Sequence, residues 1–260
     1  MTRKEKIALY NQLVHDVNNC SHIDKCSRKV KMKLCENCNE VNLWTYWEGG
    51  RDRLDAEILV VGQDWGQIKE PEATYDVLKN AGDASGGFGY SNMFQDPGSS
   101  TNETLYKLLG NVEGCSDVKS DYYESGRKCK KVFFTNYVCC YREDNTRGKF
   151  DPLWTCNCKD YFVKLVKIIE PKIIVCLGRR VFNSVSMAAG YRNSQRNYND
   201  TIHNGAVLMN FDGVSAKVFP VAHPGTMGTL NRCRARDNDT RIISKERGVE
   251  LQCNDWKKIR

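Results

Sequence analysis

Four short apolar segments, each rich in β-branched or aromatic residues and each followed by a polar or glycine-containing turn, dominate the hydrophobic pattern of the chain. They are Ile58–Val61, Val132–Thr135, Ile173–Leu177 and Val218–Val221. Continuous apolar runs of this length indicate strands that are buried on both faces, which is typical of a parallel sheet. Pro220 lies inside the last run and lacks a backbone N–H, so we expect it at a sheet edge or at the end of its strand.

Amphipathic segments with helical spacing lie before and between these strands. They cover residues 4–17, 101–109, 159–169 and 180–189. Strand–helix alternation predicts an α/β fold, a three-layer α/β/α sandwich around a central, mostly parallel four-stranded sheet. No repeat, low-complexity tract or long linker divides the chain. We therefore expect a single domain over residues 1–260, with an N-terminal helix and a cysteine-rich segment (1–56) packed on it.

Polar side chains follow three of the predicted strands at the point where each strand ends. Asp64 comes shortly after the first strand, Asn136 directly after the second, and His223 shortly after the fourth. In open α/β sheets, ligands bind in the crevice beyond the carboxyl ends of the strands. We therefore expect a carboxylate, an amide and an imidazole to converge on one crevice, where they suit chemistry on a heterocycle.

Composition narrows the class of protein further. The 260 residues include 13 cysteines, and 39 lysines and arginines against 32 acids give a formal net charge of +7. No apolar run approaches the roughly 20 residues needed to cross a bilayer, and the charged start lacks the apolar core of a secretory signal. These features predict a cytoplasmic protein without a membrane partner, in which clustered cysteines hold a metal or cluster. The charge permits a nucleic-acid partner but does not require one.

The strands and the turns that follow them resemble the motifs of the uracil-DNA glycosylase superfamily. GQDWG at residues 62–66 resembles the first motif, which reads GQDPYH in the best-known branch and GEAPG in the iron–sulfur branch. AHPG at residues 222–225 resembles the HPS motif. VFFTNYVCC (132–140) and CKDYFVKLVKIIEPKIIVCLG (158–178) resemble two further segments of the iron–sulfur branch. The four segments stand in the family's order, over about residues 35–230, and the resemblance is closest to the iron–sulfur branch.

The resemblance implies a DNA glycosylase, which flips a pyrimidine out of DNA and hydrolyses its N-glycosidic bond to leave an abasic site. Asp64 then takes the position of the carboxylate that stabilises the sugar cation and orients water, although the iron–sulfur branch usually has alanine there. His223 would donate a hydrogen bond to the oxyanion of the leaving base. The residues implied to contact the base are Gly62, Gln63, Asn136 and a stacking aromatic, Phe94, with Phe88 and Tyr90 as rivals.

The resemblance also implies a [4Fe–4S] cluster, and cysteine spacing selects four candidate ligands. Two form a CxxC pair upstream of the first motif, the third follows the motif asparagine by four residues, and the fourth precedes Pro171 by 13 residues. Cys139 and Cys156 lie close enough in sequence to substitute for the last two. The resulting ligand set is Cys35, Cys38, Cys140 and Cys158. The alternative cofactor is zinc held by Cys20, Cys26, Cys35 and Cys38, whose spacings fit common zinc modules poorly.

DNA contacts are expected in the segment PGTMGTLNRCRAR, which follows the motif histidine. Small residues can approach a phosphate closely, arginines can reach the backbone, and an apolar side chain can enter the space that a flipped base leaves. The candidates are Gly225, Thr226, Met227, Leu230, Arg232 and Arg234.

The identity of the base is less well defined than the reaction. Uracil is the favoured substrate. The fifth residue of the first motif is Gly66, whereas the best-known branch has a tyrosine that blocks substituents at C5 of the pyrimidine. An open C5 position would instead admit a 5-substituted, hypermodified pyrimidine in phage DNA, which would indicate anti-phage defence. A second alternative is a non-catalytic DNA-binding or damage-sensing protein on the same fold, although the retained Asp64 and His223 argue against it.

We expect the protein to act as a monomer.

Overall fold

The computed structural model describes residues 1–27, 32–33, 53–64, 100–112, 115, 132–142, 150–191, 198–234 and 243–260. The helices in these ranges are α1 (Arg3–Asn18), α2 (Ile23–Cys26), α3 (Ser100–Leu109), α4 (Pro152–Ile169), α5 (Arg179–Ala188), α6 (Tyr198–Asn204), α7 (Thr226–Arg234) and α8 (Lys245–Trp256). The strands are β1 (Met32–Lys33), β2 (Ile58–Gly62), β3 (Val132–Asn136), β4 (Tyr141–Arg142), β5 (Ile173–Leu177), β6 (Val207–Phe211) and β7 (Val214–Val221). None of the described helices is long and apolar enough to cross a membrane.

The central sheet has the strand order β3-β2-β5-β7-β6. The four predicted strands are all present and run parallel, which confirms the α/β class. The sheet has a fifth strand, β6, which pairs with β7 in the antiparallel direction. β6 was not predicted because it alternates exposed and buried residues, as an edge strand does, instead of forming a continuous apolar run. Asp212 and Gly213, both with positive φ, form the tight hairpin turn that joins β6 to β7.

Pro220 lies at the end of its strand, as expected. The ladder between β6 and β7 ends at Val218, whereas β5 pairs with β7 as far as Val221. Pro220 therefore lies beyond the antiparallel ladder, where its missing N–H costs no hydrogen bond to β6.

The sheet is covered by helices on both faces, and its residues alternate between two core clusters. Leu59, Val61 and Ile174 point into the cluster that includes residues of α1 and α4. Ile58, Val60 and Val175 point into the cluster that includes residues of α3 and α8. This alternation explains why the sheet strands read as continuous apolar runs: both faces are buried, and three layers result.

Two helices frame the first core cluster. α4 begins at Pro152, seven residues before the predicted start at residue 159, because Asp151 caps it by accepting a hydrogen bond from the Leu153 amide at 3.0 Å. α1 packs on α4, where Lys164 of α4 forms an ion pair of 2.8 Å with Asp16 of α1.

A small second sheet joins distant parts of the chain. β1 pairs with β4 in the antiparallel direction, and Lys33 lies opposite Tyr141. This pairing ties the N-terminal cysteine-rich segment to the chain that follows β3.

Candidate active site

The carboxyl ends of the four parallel strands meet at one edge of the sheet, as their shared direction requires. Two backbone hydrogen bonds continue the contact of β2 with β3 beyond the strands themselves. The Tyr137 amide donates to the Gly62 carbonyl at 2.9 Å, and the Val138 amide donates to the Gln63 carbonyl at 3.0 Å. The first-motif turn and the segment after Asn136 are therefore held together as one wall of the crevice.

Gly62 is required by the close approach of Asn136. These two residues lie opposite each other in the parallel ladder, and the Cβ of any other residue at position 62 would overlap Oδ1 of Asn136. Asn136 is only 8% exposed, and among the described residues its amide nitrogen Nδ2 has no hydrogen-bond partner. A buried donor without a partner costs free energy, about 1–3 kcal/mol in typical cases, which a ligand that accepts its hydrogen bond would recover.

Substituting Gly62 by alanine should displace the Asn136 amide. We expect a loss of about 1–3 kcal/mol in the free energy of unfolding, which is the usual range for overpacking a close-packed site. Denaturant unfolding measures this loss. The double variant Gly62→Ala/Asn136→Ala is the control, because removal of the amide relieves the overlap. If the two substitutions destabilise additively, the overlap does not explain the glycine.

His223 lies in the turn after β7, and its imidazole is held in one tautomer. The amide of Gly225 donates a hydrogen bond of 3.0 Å to Nδ1 of His223. Nδ1 therefore acts as an acceptor, which places the proton of the neutral ring on Nε2. The site thus presents Nε2–H as a hydrogen-bond donor.

The electrostatic environment favours the neutral form of that ring. His223 reaches solvent, but the surrounding protein removes enough water to lower its pKa below the ordinary value of 6.5. The negative charge of Asp64 opposes this effect in part by raising the pKa. Asp64 and His223 are thus electrostatically coupled in one crevice, as the sequence predicted for their positions. Asp64 also accepts a hydrogen bond of 3.0 Å from Nε2 of Gln63, which orients its carboxylate.

The predicted DNA-contacting segment forms helix α7, which begins three residues after His223. Gly225 is buried, and its amide is hydrogen-bonded to the imidazole. Thr226 and Arg234 are exposed, and Leu230 is half-buried. Met227 is 66% exposed, which is unusual for methionine and compatible with a role outside the core. The helix that presents these residues was not predicted from the sequence.

Arg232 requires a correction. Its side chain is 4% exposed and forms an ion pair of 2.6 Å with Asp255 of α8, which is also 4% exposed. A second hydrogen bond of 3.1 Å joins the two groups. The guanidinium is therefore buried and bound to α8, and the prediction that it contacts a DNA phosphate was wrong.

Other residues that were not predicted from the sequence lie close to His223 and its turn. The hydroxyl Oγ1 of Thr101, in the first turn of α3, lies 3.1 Å from the position that a Cβ on Gly225 would occupy. Gly178, at the end of β5, has a φ of 97° and lies beside His223. Gln252 of α8 bonds to the backbone of the histidine turn. Of these residues, only Gly178 could have been found from the sequence, because it directly follows a predicted strand. The other contacts come from helices that are distant in sequence.

A cluster of thiols lies beside the same wall, on the side of α2 and α4. Cys139 and Cys140 donate hydrogen bonds to Cys158, and these bonds hold the pKa of Cys158 well below that of an ordinary thiol. Cys26 also contacts Cys140. The sequence-predicted ligands Cys140 and Cys158 are thus brought together. Within the described ranges, no three His, Cys, Asp or Glu residues form a group that could hold a metal ion.

Several predicted residues lie outside the described part of the chain. They are Cys35, Cys38, Gly66, Phe88, Tyr90 and Phe94.

The parallel sheet and the polar residues at its carboxyl edge define the class of protein: an α/β protein of the kind that binds ligands beyond the strand ends. A family model described as the uracil DNA glycosylase superfamily matches residues 50–240, which is well over half of the chain. The protein therefore belongs to the uracil DNA glycosylase superfamily, whose members act on DNA. A comparison with curated proteins found no match.

Proposed function

We propose that the protein is a DNA glycosylase that hydrolyses the N-glycosidic bond of a flipped pyrimidine, with uracil as its substrate. The observation that carries the proposal is the buried amide of Asn136, which lies against Gly62 with no partner for Nδ2 among the described residues. An amide offers one donor and one acceptor side by side. Uracil presents the complementary pair on its Watson–Crick edge, a carbonyl oxygen and a ring N–H. Membership of the superfamily supports the same reaction.

Asp64 supplies the negative charge for the reacting sugar. Cleavage of an N-glycosidic bond places positive charge on the sugar, as in glycoside hydrolysis. A carboxylate stabilises that charge and can orient the attacking water. The hydrogen bond from Gln63 holds the Asp64 carboxylate in one direction, so its charge need not reorganise during the reaction.

His223 stabilises the negative charge that develops on the leaving base. With Nδ1 occupied by the Gly225 amide, the neutral ring offers only its Nε2–H to the base oxygen. The lowered pKa keeps the ring neutral at pH 7. A neutral donor stabilises the departing anion without giving it a proton.

DNA binding is assigned to the exposed residues of α7 and to the amides at its start. This helix begins three residues after His223, and helix N-termini favour phosphate. We assign the phosphate contact to Thr226 and Arg234. Met227 is the side chain that enters the space left by the flipped base, since its exposure leaves it available. The DNA partner is consistent with action in the cytoplasm.

A base-release assay tests the proposed function. Oligonucleotides with one uracil, cytosine or thymine, and phage DNA with 5-substituted pyrimidines, are incubated with the purified protein, and free base is identified by mass spectrometry. We expect release of uracil and retention of cytosine, because the donor Nδ2 of Asn136 can pair with the O4 carbonyl of uracil and not with the amino group of cytosine. Preferential release of a 5-substituted base would instead favour the phage-defence alternative, which the glycine at position 66 supports. Binding of DNA without release of any base would favour the non-catalytic alternative.

We further propose that the thiols beside the crevice hold a [4Fe–4S] cluster through Cys35, Cys38, Cys140 and Cys158. The contact between Cys140 and Cys158 supports two of these ligands. The pairing of β1 with β4 supports the others: Lys33 lies opposite Tyr141, and Cys35 is two residues from Lys33 while Cys140 directly precedes Tyr141. The cluster would tie the N-terminal segment to the sheet, since the proposed reaction transfers no electron.

Substituting either Cys140 or Cys158 by serine should remove the cluster. We expect iron and acid-labile sulfide to fall to less than about half of the wild-type content, because four thiolates hold such a cluster, with loss of the brown colour. Metal analysis and the visible spectrum measure both. Cys156→Ser is the matched control, since Cys156 is exposed and lies two residues from Cys158. Retention of iron in Cys158→Ser and its loss in Cys156→Ser would contradict the assignment. Zinc in place of iron, lost on Cys26→Ser, would favour the alternative cofactor.

A further inference from the structure

The last helix, α8, lies beyond the residues that the family model matches and packs against the turn that carries His223. The family match ends at residue 240, whereas α8 spans Lys245–Trp256 and starts at the cap Ser244. Gly248 allows the close approach of α8 to α7, because a Cβ at this position would overlap the carbonyl of Thr229. α8 is therefore in direct contact with the helix that follows the histidine.

Gln252 makes the polar connection between α8 and that turn. It is wholly buried. Its Nε2 donates to the carbonyl oxygens of Ala222 and His223, both at 3.1 Å, and its Oε1 accepts from the hydroxyl of Thr229 at 3.0 Å. Two carbonyls and one hydroxyl together determine which end of the amide faces the turn, so its orientation is set by the network.

We propose that Gln252 is a positioning residue for His223, which holds the backbone of the turn so that the imidazole keeps its Nε2–H tautomer. The carbonyl of His223 is bonded to Gln252, and on its other side Gly228 leaves no room for a Cβ. The imidazole end of the same residue is bonded to the Gly225 amide. His223 is thus fixed at both ends, and the bond at Nδ1 depends on the position of the backbone that Gln252 holds.

The loss of Gln252 would leave two carbonyls of the turn without their donor. A buried acceptor without a partner is unfavourable, so the turn would move to find other donors. Movement of the turn changes the geometry between the Gly225 amide and Nδ1, and the imidazole is then free to carry its proton on either nitrogen. The part of the proposal that concerns catalysis rests on the proposed function, whereas the tautomer itself does not.

The test compares Gln252→Met with the wild-type protein. Methionine has a similar length and lacks the hydrogen bonds, so the comparison isolates the polar contact. Nitrogen-15 NMR of the histidine side chains reports the tautomer, and the chain has only four histidines to assign. We expect His223 to change from the Nε2–H form to a mixture. We also expect kcat for uracil release to fall about 10–100-fold, the range for a displaced catalytic group, with KM within about threefold.

Ile259→Ala is the matched control for lost stability. Ile259 follows α8 and is buried in the second core cluster, so its truncation weakens the anchoring of the same C-terminal segment without removing a bond to the turn. The control should lower the unfolding midpoint yet leave the tautomer and kcat unchanged. If Gln252→Met lowers stability but leaves the His223 tautomer and kcat as in the wild-type protein, Gln252 only joins α7 to α8. The proposal is then overturned.

Two further outcomes keep the test decisive. If Gln252→Met does not fold, Gln252→Leu replaces it, because leucine also lacks the bonds to the carbonyls of Ala222 and His223; an unchanged His223 tautomer in that variant overturns the proposal, as does a wild-type His223 ring that is not in the Nε2–H form. If the wild-type protein releases no base, the proposed function fails. A shift of the tautomer in Gln252→Met would still support the positioning role.

Discussion

Replacing Asp64 by asparagine should lower the rate of uracil release by about 10²–10⁴-fold, the contribution usually found for a positioned acid or base. Asparagine keeps the shape of the side chain and removes its charge. The sugar cation then loses its nearest opposite charge, and the attacking water loses an acceptor for its proton. Single-turnover base release measures the effect, since it reports the chemical step without product release.

Asp64→Asn should also change the pKa of the neighbouring His223 imidazole, which can be measured independently of activity. The charge of Asp64 raises the pKa of His223, so Asp64→Asn should lower that pKa further, which the NMR titration of the ring follows. Asp200→Asn, an exposed change on α6, is the control for a lost surface charge. Full activity of Asp64→Asn would refute the assigned mechanism, whatever the titration shows.

Replacing His223 by alanine should lower kcat by about 10²–10³-fold, which is the typical cost of removing one donor to a developing oxyanion. The neutral Nε2–H is the donor that the geometry presents. We expect little change in DNA affinity, because the interaction strengthens only as charge develops on the base. His203→Ala, on an exposed part of α6, is the control, and equal losses in both variants would contradict a specific role for His223.

The pH dependence follows from the direction of the shift. The folded-state pKa of His223 lies below the ordinary value of 6.5, so the unfolded chain binds a proton first as the pH falls. The contribution of His223 to the free energy of unfolding is therefore complete above pH 6.5 and decreases as the pH falls below that value. Base release should likewise decline on the acid side only below pH 6.5, since protonation of Nδ1 removes the acceptor that Gly225 uses. In His223→Ala, neither the folding stability nor the rate of base release should show this decrease below pH 6.5.

Much of the architecture could be predicted because it depends on local pattern. Segments such as Ile173–Leu177 are apolar throughout because both faces of the central sheet are buried, and parallel strands must place their carboxyl ends together. The positions of Asp64, Asn136 and His223 at one edge followed from that rule. β6 was not predicted because an edge strand has one exposed face, so its hydrophobic pattern is weaker than that of a strand buried on both faces.

Contacts between distant segments required the tertiary structure. The sequence shows Arg232 in a basic run, and only the position of α8 reveals that Asp255 binds and buries it. The need for glycine at position 62 depends on the rotation of an asparagine side chain on the next strand.

The sequence by itself determined the fold class, the positions of the four parallel strands along the chain and the residue types at the carboxyl edge, because periodicity and motif order are properties of neighbouring residues. The tertiary structure alone decided which tautomer His223 presents, which arginine is available to DNA, and that Gln252 reaches the histidine turn. These features depend on hydrogen bonds and on an ion pair between residues up to 30 positions apart in the chain, and such contacts leave no pattern in the sequence.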